Sequence, residues 1–318
     1  MNINYNNNNT IIFTLARMNP PTPGHLYLIR RLIEEAINKG VNDVYIFLSK
    51  TNDNNENPIA CQEKINVLGN FDDISKTMIN SEKQKMIDET SDPLKKIQIK
   101  NINVHSICVP NIKGATPFTP LSDLLKSKKN ILDIHLFMII GDDRKEMFDR
   151  ITDFFFKKWD NINSVDGIIL PREEMSEYKN LTKDPAALDS LDISTVPINA
   201  MSASFVRNIV KNHRRDKFHD LYAPYLDESK IPELYEMILN GVETLPPNKA
   251  VDSEPKPLKY KYPMIKGSSL NSIAESDVFP PAKKPRKTPA SYGGKKSKRN
   301  KRKITKRRIN KIKTKKYR

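Results

Sequence analysis

Cysteine, tryptophan and glycine are scarce in this chain: two, one and ten among 318 residues. Two cysteines, Cys61 and Cys108, are too few for a disulfide framework, and no CxxC pair points to zinc. The expectation is reduced thiols in an intracellular protein. No apolar run approaches the ~18 residues that a membrane span needs. The N-terminal string MNINYNNNN has no basic stretch ahead of an apolar one, so a secretory signal is not expected either. Also missing are GxxxxGK[ST], GxGxxG and HExxH, which removes support for P-loop ATPases, dinucleotide dehydrogenases and zincins.

Acid is missing from one end only. Residues 281–318 contain 19 of the 54 Lys and Arg and no Asp or Glu. That leaves 35 basic against 38 acidic residues in the rest, a balance of −3, although the whole chain carries +16. The basicity belongs to a tail. Like charges at this density repel, so 281–318 is expected to be disordered, extended and non-specifically attracted to nucleic acid or another polyanion. Lys283-Lys284-Pro285-Arg286-Lys287 is similar to a nuclear-import signal. Residues 245–280, rich in Pro, Lys and Ser, are expected to be linker, and the Asn-rich 1–9 disordered.

Between these ends, short apolar runs alternate with helical patterns. Ile11–Ala16 and Val44–Leu48 have the length and composition of buried strands, and Ile134–Ile140 is the clearest of all. Val104–Val109 and Gly167–Leu170 are further strands. The spacing of Ile29, Leu32, Ile33, Ala36 and Ile37 predicts a helix over His25–Asn38, closed by Lys39-Gly40. Asn57-Pro58 is expected to open a helix through about Leu68. Helices are also expected at Leu121–Lys129, Asp142–Thr152 and Ser202–Lys211. Strands alternating with helices imply an α/β fold, a Rossmann-like doubly wound parallel sheet with helices on both faces, within 10–244.

Two segments carry chemistry. Arg17-Met18-Asn19-Pro20-Pro21-Thr22-Pro23-Gly24-His25 joins the first strand to the first helix. Its prolines stiffen the turn, Gly24 allows close backbone approach, and His25 stands at a helix N-terminus, where unpaired N–H groups attract phosphate. Far downstream, Met201-Ser202-Ala203-Ser204-Phe205-Val206-Arg207 places an N-cap serine before a helix. Ser204 and Arg207 share one helix face. Hydroxyls, helix N–H groups and a guanidinium make a receptor for polyphosphate.

Thr22-Pro23-Gly24-His25 resembles the (H/T)xGH signature of the nucleotidyltransferase superfamily, and 201–207 resembles its second signature, ISx[ST]xxR, with Met at the leading apolar position. The longer lead-in is similar to members from bacteriophages and large DNA viruses. The resemblance covers roughly residues 10–225. It implies an enzyme that transfers an NMP group from ATP or CTP to a phosphorylated small-molecule acceptor with release of pyrophosphate. Mg²⁺ would be brought and held mostly by the substrate. The spacing between motifs resembles the nicotinamide-nucleotide adenylyl branch more than the short cytidylyl branch.

By that resemblance His25, Thr22 and Arg207 are catalytic, and Ser202 and Ser204 hold the β- and γ-phosphates. Gly24, Met18 and the backbone of Arg17 line the nucleotide's phosphate site. Gly141 and Asp142, after the strand 134–140, stand near the ribose and base, with a plain helix cap as the alternative. Lys64 is a phosphate contact or else a solvated helix lysine. His105, His135, His213 and His219 are expected to serve packing or the surface. The other functional reading is a nucleotide-binding, nucleic-acid-associated or virion protein without turnover. Location is expected to be cytoplasmic or nuclear, with virion association as a further option.

Overall fold

β1 (Thr10–Ala16) is fully buried on both faces over most of its length because its side chains alternate between two apolar layers. Ile12 joins one core cluster, while Ile11, Phe13 and Leu15 join the other. In the computed structural model, which describes residues 9–245 except 53, 71–72, 142–144, 171–177 and 179–181, β1 is the centre of a five-stranded sheet. Its companions are β2 (Asp43–Leu48), β3 (Asn103–Cys108), β4 (Ile134–Gly141) and β5 (Ile162–Leu170). The order is β3-β2-β1-β4-β5 and every pair is parallel. The expected doubly wound α/β fold is the one observed.

The first cluster packs α1 (Leu26–Lys39), α2 (Cys61–Leu68), α3 (Met78–Glu89) and α4 (Pro93–Asn101) with the C-terminal helices α8 (Ala203–Lys211), α9 (Arg215–Tyr222) and α10 (Lys230–Thr244). The second packs α5 (Thr119–Ser127) and α6 (Lys145–Lys158) on the opposite face. A short α7 (Pro185–Ser190) follows β5. α1 stops where Lys39 predicts, with Gly40 left-handed at φ 63° and its N–H returned to Ala36 and Ile37 carbonyls.

The order reverses between β1 and β4, which is where doubly wound sheets bind ligands, at the strands' carboxyl ends. Phe13 pairs with Met138, so Ala16 and Gly141 end their strands at the same level.

Three expectations need correction, and two helices add to those expected. α2 begins at Cys61, not Pro58, because residues 57–60 are committed elsewhere: Ile59 bonds Asn19, and Pro58 lies against Gly241. β5 begins at Ile162, five residues earlier than its apolar run; Asn163, Asp166 and Gly167 are exposed on an edge strand, so burial does not mark them. α9 and α10 lie beyond the second motif and extend the core, with Phe218, Tyr222 and Tyr235 among its buried rings. Cys61 and Cys108 are bonded to each other rather than reduced, with Cα atoms 5.9 Å apart. The expected linker beyond 245, the tail 281–318 and residues 1–8 lie outside the described residues. Among those described, no helix is long and apolar enough to cross a membrane.

A Cβ on Gly241 of α10 would lie 2.2 Å from the Pro58 carbonyl oxygen and 2.7 Å from its Cα. Gly241→Ala is expected to lower stability by about 1–3 kcal/mol through overpacking, although alanine is the better helix former by about 1 kcal/mol. Urea unfolding of the two proteins measures this; equal midpoints would mean that α10 does not rest on the 57–60 segment.

Candidate active site

The chain leaves β1 through exposed Arg17 and then turns at Met18, whose φ of 42° is left-handed. A bulky residue rarely adopts this backbone, and its side chain is held 2% exposed in the core. Met18 is thus enclosed at the turn that leads into the 19–25 segment. Next comes Asn19, which ties three segments. Its Nδ2 donates to the carbonyls of Thr51 (3.1 Å) and Ile59 (3.0 Å), and its Oδ1 accepts from Ile59 N–H (3.0 Å). Its own carbonyl accepts from Arg207 Nη1 at 2.8 Å. Two residues on, the Pro21 carbonyl accepts from the fully buried Tyr222 hydroxyl at 2.6 Å.

Thr22 to His25 form a 3-10 turn ahead of α1. Thr22 is 0% exposed. Its N–H donates to His25 Nδ1 at 2.9 Å, and its Oγ1 lies 3.0 Å from the same nitrogen. With Nδ1 accepting, a neutral imidazole carries its hydrogen on Nε2. Thr22 thus orients His25 and sets its tautomer, a positioning part.

Gly24 has a reason that the sequence does not disclose. A Cβ there would lie 2.8 Å from the Met201 carbonyl oxygen and 3.1 Å from that of Ile198. The first motif can touch the second only through glycine. Beyond that contact Ser202 is the N-cap of α8, its Oγ accepting from Phe205 N–H at 3.2 Å and lying 3.2 Å from Ser204 Oγ. Phe205, Val206, Ile209 and Val210 bury the other side of α8. Two helix N-termini, those of α1 and α8, are therefore brought together from 177 residues apart. Both carry partial positive charge.

Full positive charge gathers at the same place. Lys64 of α2 is 0% exposed, so the solvated alternative does not hold. Its Nζ donates to the Ser49 carbonyl at 2.9 Å, just past the end of β2, and among the described residues it has no ion pair. Burial, then the nearby Arg17 charge, pushes its pKa from 10.5 down to about 8. Burial also lowers Arg207; Glu56 opposes this shift and Arg17 adds to it. Arg17, Lys64 and Arg207 thus act within one field. Ser49 Oγ and Asn57 Oδ1 are buried there without a hydrogen-bond partner.

The structure brings together Arg17, Met18, Thr22, Gly24, His25, Lys64, Ser202, Ser204 and Arg207. Gly141 stands at the same sheet edge at the end of β4, beside Leu170; Asp142 lies outside the described residues. Nothing in the sequence singles out Asn19 or Tyr222, since an Asn before proline signals only a turn and Tyr222 only an apolar helix face. His105 pairs with Asp43, and His135 with Ser164, at the opposite edge of the sheet. His219 meets Glu228 on the surface. Among the described residues no group of three His, Cys, Asp or Glu side chains could hold a metal ion. Apart from the Glu56 carboxylate, which acts on Arg207, the side chains described at this edge are cations and hydroxyls, a set that suits an anion better than a bare cation.

The Lys64 shift has a signature. Between pH 8 and 10.5 the folded chain releases this proton while the unfolded chain keeps it, so Lys64 makes stability rise with pH across that window. Its contribution is at most about 3 kcal/mol. Lys64→Met should remove that rise. The check is urea unfolding of both proteins at pH 7 and pH 10; an unchanged pH difference would mean that Lys64 titrates normally.

No protein-family model matches this chain, and no curated protein matches it either.

Proposed function

We propose that the chain is a nucleotidyltransferase that moves an NMP group from ATP or CTP to a phosphorylated small-molecule acceptor. The observation that carries this reading is Lys64, a fully buried ammonium without a carboxylate partner among the described residues, placed in the field of Arg17. A buried cation without a counter-ion is costly, and an anionic ligand supplies what is missing. A helix N-terminus on each side, hydroxyls on Ser202 and Ser204, and a histidine with its proton on Nε2 narrow that anion to a polyphosphate.

In the proposed reaction a phosphate oxygen of the acceptor attacks the α-phosphorus. A new P–O bond forms, the α–β bridging P–O bond breaks, and pyrophosphate leaves with the bonding electron pair. No covalent enzyme intermediate is needed. His25 Nε2–H donates to the α-phosphate oxygens as charge shifts, while Thr22 holds the ring in register. Ser202, Ser204 and Arg207 bind the β- and γ-phosphates and the departing pyrophosphate; Lys64 and Arg17 add charge. Such catalysis is positioning plus electrostatic stabilisation. Arg207 is itself held by the Asn19 carbonyl, so its remaining N–H groups are presented in a fixed plane. Through 281–318 the chain would also hold nucleic acid or another polyanion, and the 283–287 cluster adds nuclear import to the reading.

Pyrophosphate release, measured for each NTP against a panel of phosphorylated acceptors, tests the activity. His25→Ala should cost about 10²–10³-fold in kcat with the fold intact. A variant with near-normal turnover would reject the role given to His25. Deleting 281–318 should abolish retention on DNA at low salt and leave nucleotidyl transfer unchanged. Equal DNA retention by the truncated chain would refute that division.

A further inference from the structure

α2 is two turns long and carries three residues into the core: Lys64, Val67 and Leu68. Cys61, Lys64 and Leu68 fall at i, i+3 and i+7, a single stripe whose first two residues reach the carboxyl edge of the sheet. Two ties hold the first turn of this stripe to that edge. One is polar, from Lys64 Nζ to the Ser49 carbonyl. The other is covalent, from Cys61 to Cys108 at the end of β3. They sit side by side, because Cys108 pairs across the sheet with Leu48, the residue before Ser49.

We propose that the Cys61–Cys108 pair is a thiol–disulfide exchange site that clamps Lys64 in the anion site when oxidised and releases it when reduced. The reductant is a dithiol. Its first thiolate attacks one sulfur of the pair and displaces the other as a thiolate. Its second thiol then closes the reagent's own disulfide and frees the attacked sulfur. Two electrons and two protons pass to the chain, leaving two cysteine thiols. Both cysteines are partly exposed, so a dithiol reaches them.

Charge makes Lys64 the group that responds. A fully buried ammonium with one hydrogen bond and a cationic neighbour gains by moving to water, and the first turn of α2 is what prevents it. Ile59, two residues before Cys61, stays anchored by Asn19, and Val67 and Leu68 stay packed. Reduction therefore loosens the turn between these anchors rather than the domain. The consequence for ligand affinity rests on the triphosphate reading of the site. If reduction weakens the binding of a polyphosphate by some factor, the bound polyphosphate must make the disulfide harder to reduce by the same factor.

The test uses the full chain, prepared oxidised, and again after treatment with a dithiol and capping of its thiols. An amine-acetylating reagent is applied to both, and acetylation at each lysine is read by mass spectrometry. Lys83 is the internal reference: its Nζ is bound to the carbonyls of Lys100 and Ile102, before or at the start of β3 rather than its end. Acetylation of Lys64 should rise at least tenfold on reduction while that of Lys83 stays constant. The Cys61→Ser/Cys108→Ser double variant should show the fast rate without any dithiol. Equal Lys64 rates in the two states, or two titratable thiols in the untreated chain, would overturn the proposal. Inorganic tripolyphosphate is the ligand probe, and its affinity should fall at least tenfold on reduction; an unchanged affinity would overturn the link to the site. If Lys64 acetylation rises but tripolyphosphate binds neither state, the clamp stands and the triphosphate reading falls.

Discussion

An ammonium group with no access to water and no carboxylate partner among the described residues is the constraint around which this domain is arranged. Folding apolar side chains around Lys64 gains nothing from its charge, and Arg17 makes the position worse. Two helix N-termini and Arg207 add positive potential at the same sheet edge. A fold under selection for stability alone would replace Lys64 with an apolar residue of similar volume. Retaining it makes sense where an anion is the missing partner.

The scaffold around that charge is stiff. Asn19 joins the exit of β1 to the segment before α2 and, through its carbonyl, to α8. Tyr222 fixes the Pro21 carbonyl from α9, and Gly24 lets the two motifs touch backbone to backbone. These contacts place residues from four sequence regions with hydrogen bonds of 2.6–3.1 Å. A site for a transferring phosphoryl group needs such positioning, because its catalysis comes from fixed charges rather than from a protein nucleophile.

The sequence is legible where local pattern and tertiary role coincide. β1, and β2 and β4 toward their carboxyl ends, are buried on both faces, so their apolar runs mark them, and α1 carries its apolar stripe and Gly40 stop in plain view. The helix start within 201–207 is legible as well, since Ser202 caps α8 as its position implies. What escapes is what depends on distant chain. Lys64 is a polar letter on a helix, and nothing local says that it is enclosed. The 47-residue separation of Cys61 and Cys108 hides their pairing until β3 is set beside β2. Asn57-Pro58 has the local look of a helix start, yet Asn19 and Gly241 claim that stretch first. β5 is an edge strand whose exposed polar residues dilute its pattern.

Everything functional in this account reduces to one claim, that a triphosphate lies between His25 and Arg207 with Lys64 beneath it. A crystal structure of the chain with a non-hydrolysable ATP or CTP analogue tests it most directly. The account predicts phosphate oxygens within hydrogen-bond distance of His25 Nε2, Lys64 Nζ and the Arg207 guanidinium. Phosphates bound elsewhere, with Lys64 still contacting only the Ser49 carbonyl, would contradict it.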